Sequence, residues 1–230
     1  MFKVFERIVL TKFILPNVTS SIHPSQFAYV PRPGTGTTSP LVLLYHHILE
    51  FLDSSSGAVR VLSVDFSKAF DKLSHSAIVD ACLRLGLNAV FIRWIRSFLC
   101  DRLQRVVCGN SVSPWVQISS GVPQGSVLGP ILFCLVIDQL SPVCSNTKMV
   151  KYADDVVFLH FLPTPSSDHL QLEWNSLVKW SDDFFLPINF SKCKVMDFVT
   201  KKNITLSPVQ IHVSPGTNVM SVSYLNFLLY

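Results

Sequence analysis

The chain has 230 residues, enough for one large domain or two tightly joined subdomains, and 49% of them are hydrophobic, which supplies a buried core and excludes general disorder. No apolar stretch approaches the roughly 18 residues needed to cross a bilayer, so the mean hydropathy of +0.39 points to an apolar interior, or to a fragment whose missing neighbours would cover part of its surface. The net charge of +4 is compatible with a polyanionic partner without establishing one.

Residues 1–15 mix Lys3, Glu6, Arg7 and Lys12 with apolar side chains. That pattern lacks the uninterrupted core of a secretory signal and predicts an amphipathic helix ended by Pro16. An intracellular protein, nuclear or cytoplasmic and with no membrane partner, is the expectation, and the sequons at Asn17 and Asn203 then carry no weight. Residues 20–40 form a loop with an aromatic start at Phe27 and Tyr29, and residues 41–52 are apolar at helical spacing. Asp53-Ser54-Ser55-Ser56-Gly57 turns the chain into a β-rich run, Arg60 to Val64, that delivers Asp65. Ile78, Val79, Cys82 and Leu83 repeat at helix spacing with Gly86 as a C-terminal cap, and Phe91, Ile95 and Phe98 mark a second helix. Residues 102–108 and 111–118 flank Gly109-Asn110, a hairpin turn. The stretch 121–126 is too rich in Gly and Pro for regular structure, and 127–140 is an apolar helix with Gly129-Pro130 in its first turns; a glycine loop there offers backbone N–H groups to a nucleotide. A second hairpin carries Tyr152-Ala153-Asp154-Asp155 at its tip, between Met149-Val150 and Val156-Val157-Phe158-Leu159. A linker at 163–167, a helix through Leu170, Trp174, Leu177 and Val178, and short strands including 209–213 complete the chain.

Two adjacent carboxylates at a tight bend repel each other and gain no packing there, so they need a cation to hold them together. With Asp65 at another strand end, three carboxylates on two strand ends can bind two hard divalent ions. Oxygen-only ligands with no nearby Cys or His point to Mg²⁺ or Mn²⁺, and such ion pairs serve phosphoryl and nucleotidyl transfer. Six cysteines (Cys82, Cys100, Cys108, Cys134, Cys144, Cys193) without a CxxC pair argue against zinc and a disulfide framework, and predict reduced, mostly buried thiols. Arg84, Arg93, Arg96, Arg102 and Arg105 cluster, as do Lys192, Lys194, Lys201 and Lys202; solvated faces and phosphate contacts are the two readings. His46, His47 and His75 lack acid or Cys partners at ligand spacing and read as packing or surface residues. Gly125-Ser126 lacks the pattern of a hydrolase nucleophile elbow.

Asp65-Phe66-Ser67-Lys68-Ala69-Phe70-Asp71, then Gly121-Val122-Pro123-Gln124-Gly125-Ser126-Val127-Leu128-Gly129-Pro130, then Tyr152-Ala153-Asp154-Asp155 stand in the order found in the reverse transcriptases of non-LTR retrotransposons, which the chain resembles. The likeness extends upstream through residues 2–10 and Gln26-Phe27-Ala28-Tyr29, and downstream to residues 186–192 and Ser223-Tyr224-Leu225. It implies an α+β fold: a right-hand polymerase with fingers and a palm, an antiparallel palm sheet packed on helices, and the thumb missing. The corresponding division is a fingers segment at 1–58, palm at 59–80, an insertion of fingers or palm at 81–118, and palm again at 119–230, truncated before the thumb.

By the same resemblance, the activity is RNA-directed DNA synthesis from dNTPs on an RNA template and a DNA primer. Asp65, Asp154 and Asp155 match the metal-binding carboxylates, with Asp154 the more direct ligand, and the backbone carbonyl of Phe66 is the usual extra ligand to two Mg²⁺ or Mn²⁺ ions. Phe70 matches the aromatic gate that selects against a ribose 2′-hydroxyl, the competing reading being a core Phe on a short helix. Gln124 and Gly125 match contacts to the incoming nucleotide and the template base, the competing reading being a structural turn. Tyr152 would pack beneath the primer end or simply in the core. Lys192 or Lys194 resembles the lysine that protonates the leaving pyrophosphate, or faces solvent. Asp71 is read as a local cap or partner. The family's fingers loop carries two arginines where this chain has only Arg32, and Asn226 stands where a late Tyr-Leu-Gly pattern has its glycine. These departures, with the missing thumb and endonuclease, keep open a catalytically inactive remnant of a retrotransposon polyprotein that at most binds nucleic acid. A two-metal phosphodiesterase on another fold would leave Phe70 and the Pro-Gln-Gly loop without a purpose.

Overall fold

In the computed structural model the described residues are 2–33, 36–199, 206, 211–212, 219–220 and 226–228. Lys201, Lys202 and Ser223-Tyr224-Leu225 therefore lie outside them, as do positions 209, 210 and 213 of the expected late strand. The chain forms two compact units. The first comprises Met1–His23, Lys68–Gln139 and Phe184–Leu186, and the second Pro24–Ser67, Leu140–Asp183 and Pro187–Tyr230.

In chain order, α1 is Phe2–Val9, a π-helical turn spans Leu10–Ile14, and α2 is Leu15–Val18. The helix thus runs on through Pro16 instead of ending there. The wide turn lets the Leu15 N–H reach the Leu10 carbonyl and places Pro16 in the first turn of a new segment, where its missing N–H costs nothing. Next come α3 (Thr38–Ser54), β1 (Ala58–Val64), the short α4 (Ala69–Lys72), α5 (His75–Arg84) and α6 (Ala89–Leu99). The Ser74 hydroxyl accepts from Ala77 N–H to open α5, and Gly86, at φ +70°, lies just beyond its end; Asn88 caps α6 from Val90 N–H. An exposed double hairpin follows: β2 (Arg102–Gln104), β3 (Val107–Cys108), β4 (Ser111–Val112) and β5 (Val116–Ile118). Then come α7 (Gly129–Ile137), β6 (Thr147–Tyr152), β7 (Asp155–Leu162), a 3₁₀ turn at Pro165–Ser167 and α8 (Leu170–Asp183). The last strands are β8 (Lys194–Val199), β9 (Ile211–His212), β10 (Val219–Met220) and β11 (Asn226–Leu228). Among the described residues no helix is long and apolar enough to cross a membrane.

The second unit holds the main sheet, in the order β11-β8-β1-β7-β6. Four strands are antiparallel, while β11 lies parallel to β8, so the edge departs from a wholly antiparallel palm sheet. Side-chain alternation sends Val59 and Val61 of β1 to one face, where they form a core with Val150, Leu159, Phe198 and with Ile48 and Leu52 of α3. Arg60 points the other way and is 1% exposed. The register places it opposite Asp197 on β8 and His160 on β7. Asp197 accepts from Arg60 Nε at 2.7 Å and Nη2 at 2.9 Å, and Asp168 accepts from Nη1, so a charge in the middle of the sheet is fully paired.

The first unit is organised around α7, of which Gly129 and Ile131 through Ile137 are buried. A helix apolar on all sides must be capped from within the protein, and the cap is Glu6 of α1. Its carboxylate accepts from Val127 N–H (2.8 Å) and Leu128 N–H (3.2 Å), and the Ser126 hydroxyl accepts from Gly129 N–H (3.0 Å).

Candidate active site: three aspartates at strand ends

β6 and β7 close on the two residues Ala153 and Asp154, with Tyr152 paired to Asp155. Ala153 sits at φ +55°, a left-handed conformation costly for a residue with a Cβ, and it turns the chain sharply enough to set Asp154 and Asp155 at the strand end. β1 delivers the third acid. Val64 opposes Val156 at the end of the β1–β7 ladder, so Asp65, one residue beyond it, comes to the end of the sheet that carries Asp155, whose carboxyl feels its charge. The segment after β1 is pinned by Asn189 N–H donating to the Asp65 carbonyl (2.8 Å) and Ser67 N–H donating to the Pro187 carbonyl (2.7 Å). These two bonds flank the Phe66–Ile188 bridge and leave Phe66's own carbonyl out of the pairing.

The electrostatics of this end of the sheet call for a cation. Asp65 Oδ2 is buried and makes no hydrogen bond, and the nearest positive group is the mostly exposed Lys192, whose ammonium lies 3.6 Å away. Loss of solvent, and then the charges of Asp154 and Asp65, push the Asp155 carboxyl above its ordinary value. A carboxylate raised by its neighbours and a buried oxygen without a donor fit a divalent-ion site with oxygen ligands. Tyr152, half-buried, ends β6 beside them, and Arg32, half-buried in the loop before α3, is not among the charges that act on Asp155.

The remaining predicted site residues belong to the first unit. Phe70, half-buried on α4, stacks on Phe133 of α7 with centroids 4.7 Å apart and planes 26° from parallel. The loop after β5 is fastened beneath it: Val122 N–H donates to the Phe70 carbonyl (2.9 Å) and Gly121 N–H to the Leu73 carbonyl (2.7 Å). At Gly121, φ is +74° and a Cβ would come within 2.5 Å of the Asp71 carbonyl oxygen, so no other residue fits. His75 Nε2 contacts the Gly121 carbonyl at 2.9 Å, and Arg102 donates to it at 2.7 Å, which gives both side chains a structural role. Gln124 donates to Asp71 Oδ1 (3.0 Å), which makes Asp71 a local partner, and Gly125 is exposed with open space around its α-carbon. One expectation is narrowed: the N–H groups of Val127, Leu128 and Gly129, where α7 begins, are not on offer to a nucleotide, because Glu6 and Ser126 already hold them.

Two further corrections concern the histidines and thiols. His46 and His47 do have an acid partner: Glu50, one turn on, lies 4.0 Å from His46 Nε2 and 3.6 Å from His47 Nδ1. Helical spacing of three and four residues was the sequence signal for it. His47 Nδ1 is also 3.1 Å from the Lys148 ammonium, and burial, then that cation, holds its pKa below 6.5. All six cysteines are free, but only Cys82, Cys134 and Cys193 are buried, and Cys108 is exposed on the hairpin. Glu6 and Arg60 are the residues that sequence reasoning missed. An acid inside an amphipathic apolar face and an arginine inside a β run were the available signs.

Residues 1–227 match the family described as reverse transcriptase (RNA-dependent DNA polymerase). Among curated proteins, the chain is 29% identical over 234 residues to the probable RNA-directed DNA polymerase from transposon X-element of Drosophila melanogaster, covering 99% of this chain and 25% of that protein. It is 27% identical to the RNA-directed DNA polymerase from mobile element jockey of the same species, covering 86% and 22%. With the Pol polyprotein of the type-1 retrotransposable element R2 of Popillia japonica it shares 30% over 196 residues, covering 81% and 26%. The chain spans about a quarter of the length of these curated relatives. Its fold is shared with telomerase from Candida albicans, solved with a fragment of telomeric RNA, at TM-score 0.61 and 16% identity over 90% of this chain and 36% of that one. Apo telomerase from Candida tropicalis, truncated from its C-terminal domain, gives 0.58 and 12% over 89% and 44%. The aspartate-bearing strand ends, the α+β fold and a sequence match over almost the whole length agree, and the chain belongs to the reverse transcriptase (RNA-dependent DNA polymerase) family.

Proposed function

We propose that the chain is the fingers and palm portion of an RNA-directed DNA polymerase, extending a DNA primer on an RNA template from dNTPs. Residues 1–58 are then the fingers segment, 59–80 and 119–230 the palm, and 81–118 the insertion between. The observation that carries the reading is the end of the β1–β7 ladder, where Asp65 lies near enough to act on the Asp155 carboxyl and keeps a buried oxygen without a hydrogen-bond donor. Among the described residues the three aspartates are not drawn within 4.8 Å of one another, as His46, His47 and Glu50 are.

Asp65, Asp154, Asp155 and the Phe66 carbonyl would hold two Mg²⁺ or Mn²⁺ ions. Bound there, the ions supply activation of the primer 3′-hydroxyl and charge stabilisation for in-line displacement of pyrophosphate. Ala153 aims the two hairpin acids, and Tyr152 supports the primer end. Lys192 neutralises Asp65 while the site is empty of substrate, and its exposed ammonium would serve the leaving pyrophosphate as an acid. Phe70, backed by Phe133, restricts the sugar pocket to deoxyribose, and Gln124, held by Asp71, contacts the base pair with Gly125 allowing close approach. Arg32 is assigned to the triphosphate. The test is primer extension on poly-rA/oligo-dT with Mg²⁺ or Mn²⁺, comparing the chain with Asp154→Asn. Incorporation by the parent and its loss in the variant is the expected result. Equal incorporation by both removes the assignment, and none by either favours the inactive remnant.

A further inference from the structure

Within the first unit lies a cleft of about 760 Å³, walled by β2, β5 and residues 119–124, with Gln124 at one end. Its volume is that of a site for a nucleotide-scale ligand. Leu103 of β2 and Gln117 of β5 face each other across the ladder and both line the cleft. Alternation carries the same face two residues outward, where the register brings Arg105 opposite Trp115. The Arg105 guanidinium lies 4.5 Å from the Trp115 ring centroid, and Trp115 is 57% exposed. The side chains of Gln104, Gln117 and Ser119, all exposed on the cleft wall, make no hydrogen bond among the described residues.

The chemistry of these groups selects the ligand. A buried apolar partner would leave the three uncommitted polar side chains unsatisfied, which is costly. Bases instead offer a flat π-face to the indole and polar edges to amides, and their phosphates pair with arginine. The cleft itself is lined by one cation, Arg102, and one acid, Asp71, the latter engaged by Gln124, and Arg105 adds a second cation beside it. We propose that this hairpin face binds a single-stranded polynucleotide, with one base stacked on the Trp115 face that Arg105 leaves open, a phosphate at Arg105, and a neighbouring base edge at Gln117, which alternation puts on the same face. The inference deepens the polymerase reading, on which it rests for the class of ligand, by giving the unpaired strand a path that ends at Gln124.

The experiment is anisotropy of labelled rU and dT 12-mers with the full chain at two salt concentrations, alongside the primer-extension assay. Trp115→Ala is expected to weaken binding about tenfold or more, the loss of one stacked base, and Trp115→Phe to restore most of it. Arg105→Ala should make the affinity less sensitive to salt. Tighter binding of rU assigns an RNA strand, and equal binding of both assigns the chemistry they share. Unchanged affinity in Trp115→Ala, with primer extension intact, overturns the inference and leaves the polymerase reading standing. A tenfold loss with no extension by any variant does the reverse. Conversion of a dimer to a monomer by Trp115→Ala, with strand affinity unchanged, would make the face a self-association surface and also overturns it.

Discussion

The two hairpins of this protein share a two-residue turn and differ in everything around it. The β6–β7 hairpin is flanked by β1, buried along most of its length, and carries Asp154 and Asp155 at its tip. Among the described residues the β2–β5 hairpin pairs with no other strand; it is exposed almost throughout and changes register by one residue where Pro114 sits. Proline has no N–H to give the ladder, so the strands part there and resume one residue out of step. The comparison teaches that carboxylates which repel one another are held by a buried scaffold, whereas a hairpin that buries little can stand as an exposed ribbon.

The largest effect should come from the scaffold of the first hairpin. Arg60→Ala leaves Asp197, 2% exposed, as a buried charge without its bidentate partner, and is expected to cost about 3–5 kcal/mol in urea unfolding. Trp115→Ala on the second hairpin should stay within about 0.5 kcal/mol of the parent. A similar loss in both would erase the distinction. Next in size is Glu6→Ala, which uncaps α7 and should cost about 1–2 kcal/mol by the same measurement, showing that the first unit draws its stability from α7 while its hairpin contributes little.

A pH dependence should follow from the scaffold. His160, fully buried, accepts from His169 N–H at Nε2 (2.9 Å), so its proton sits on Nδ1 and is donated to Thr147 Oγ1 (2.7 Å). Burial holds its pKa below 6.5, against the opposing pull of Asp168. The unfolded chain therefore takes up the proton first, and stability should be lost as pH falls from about 6.5 toward the lowered folded value. His160→Gln should flatten that slope, read as the thermal midpoint against pH. The smallest effect is Asp155→Asn: removing one of three crowded charges should raise the thermal midpoint slightly without divalent ions, and Mg²⁺ should then stabilise the parent more than the variant. A lower midpoint in the variant would mean that Asp155 is held by an attraction and not by strain.

The local signals were legible wherever one short segment decides its own shape. Asp65 follows an apolar run, Gly86 ends a helix, Gly109-Asn110 turns a hairpin, and Asp154-Asp155 sit at a bend; each of these stands in the structure as its neighbours in sequence demand. Pro16 was misread because a π-turn, which leaves no mark in composition, absorbs it. The parallel setting of β11, the Glu6 cap on α7 and the pairing of Arg60 with Asp197 join residues 29 to 137 positions apart, and sequence spacing says nothing of such partners. By itself the sequence determined the family blocks and the acids at strand ends. Only the tertiary structure decided that the Asp65 charge reaches Asp155, that the amides of residues 127–129 are already taken, and that Arg105 covers Trp115, because strand register and capping depend on which distant groups satisfy each other's hydrogen bonds and charges.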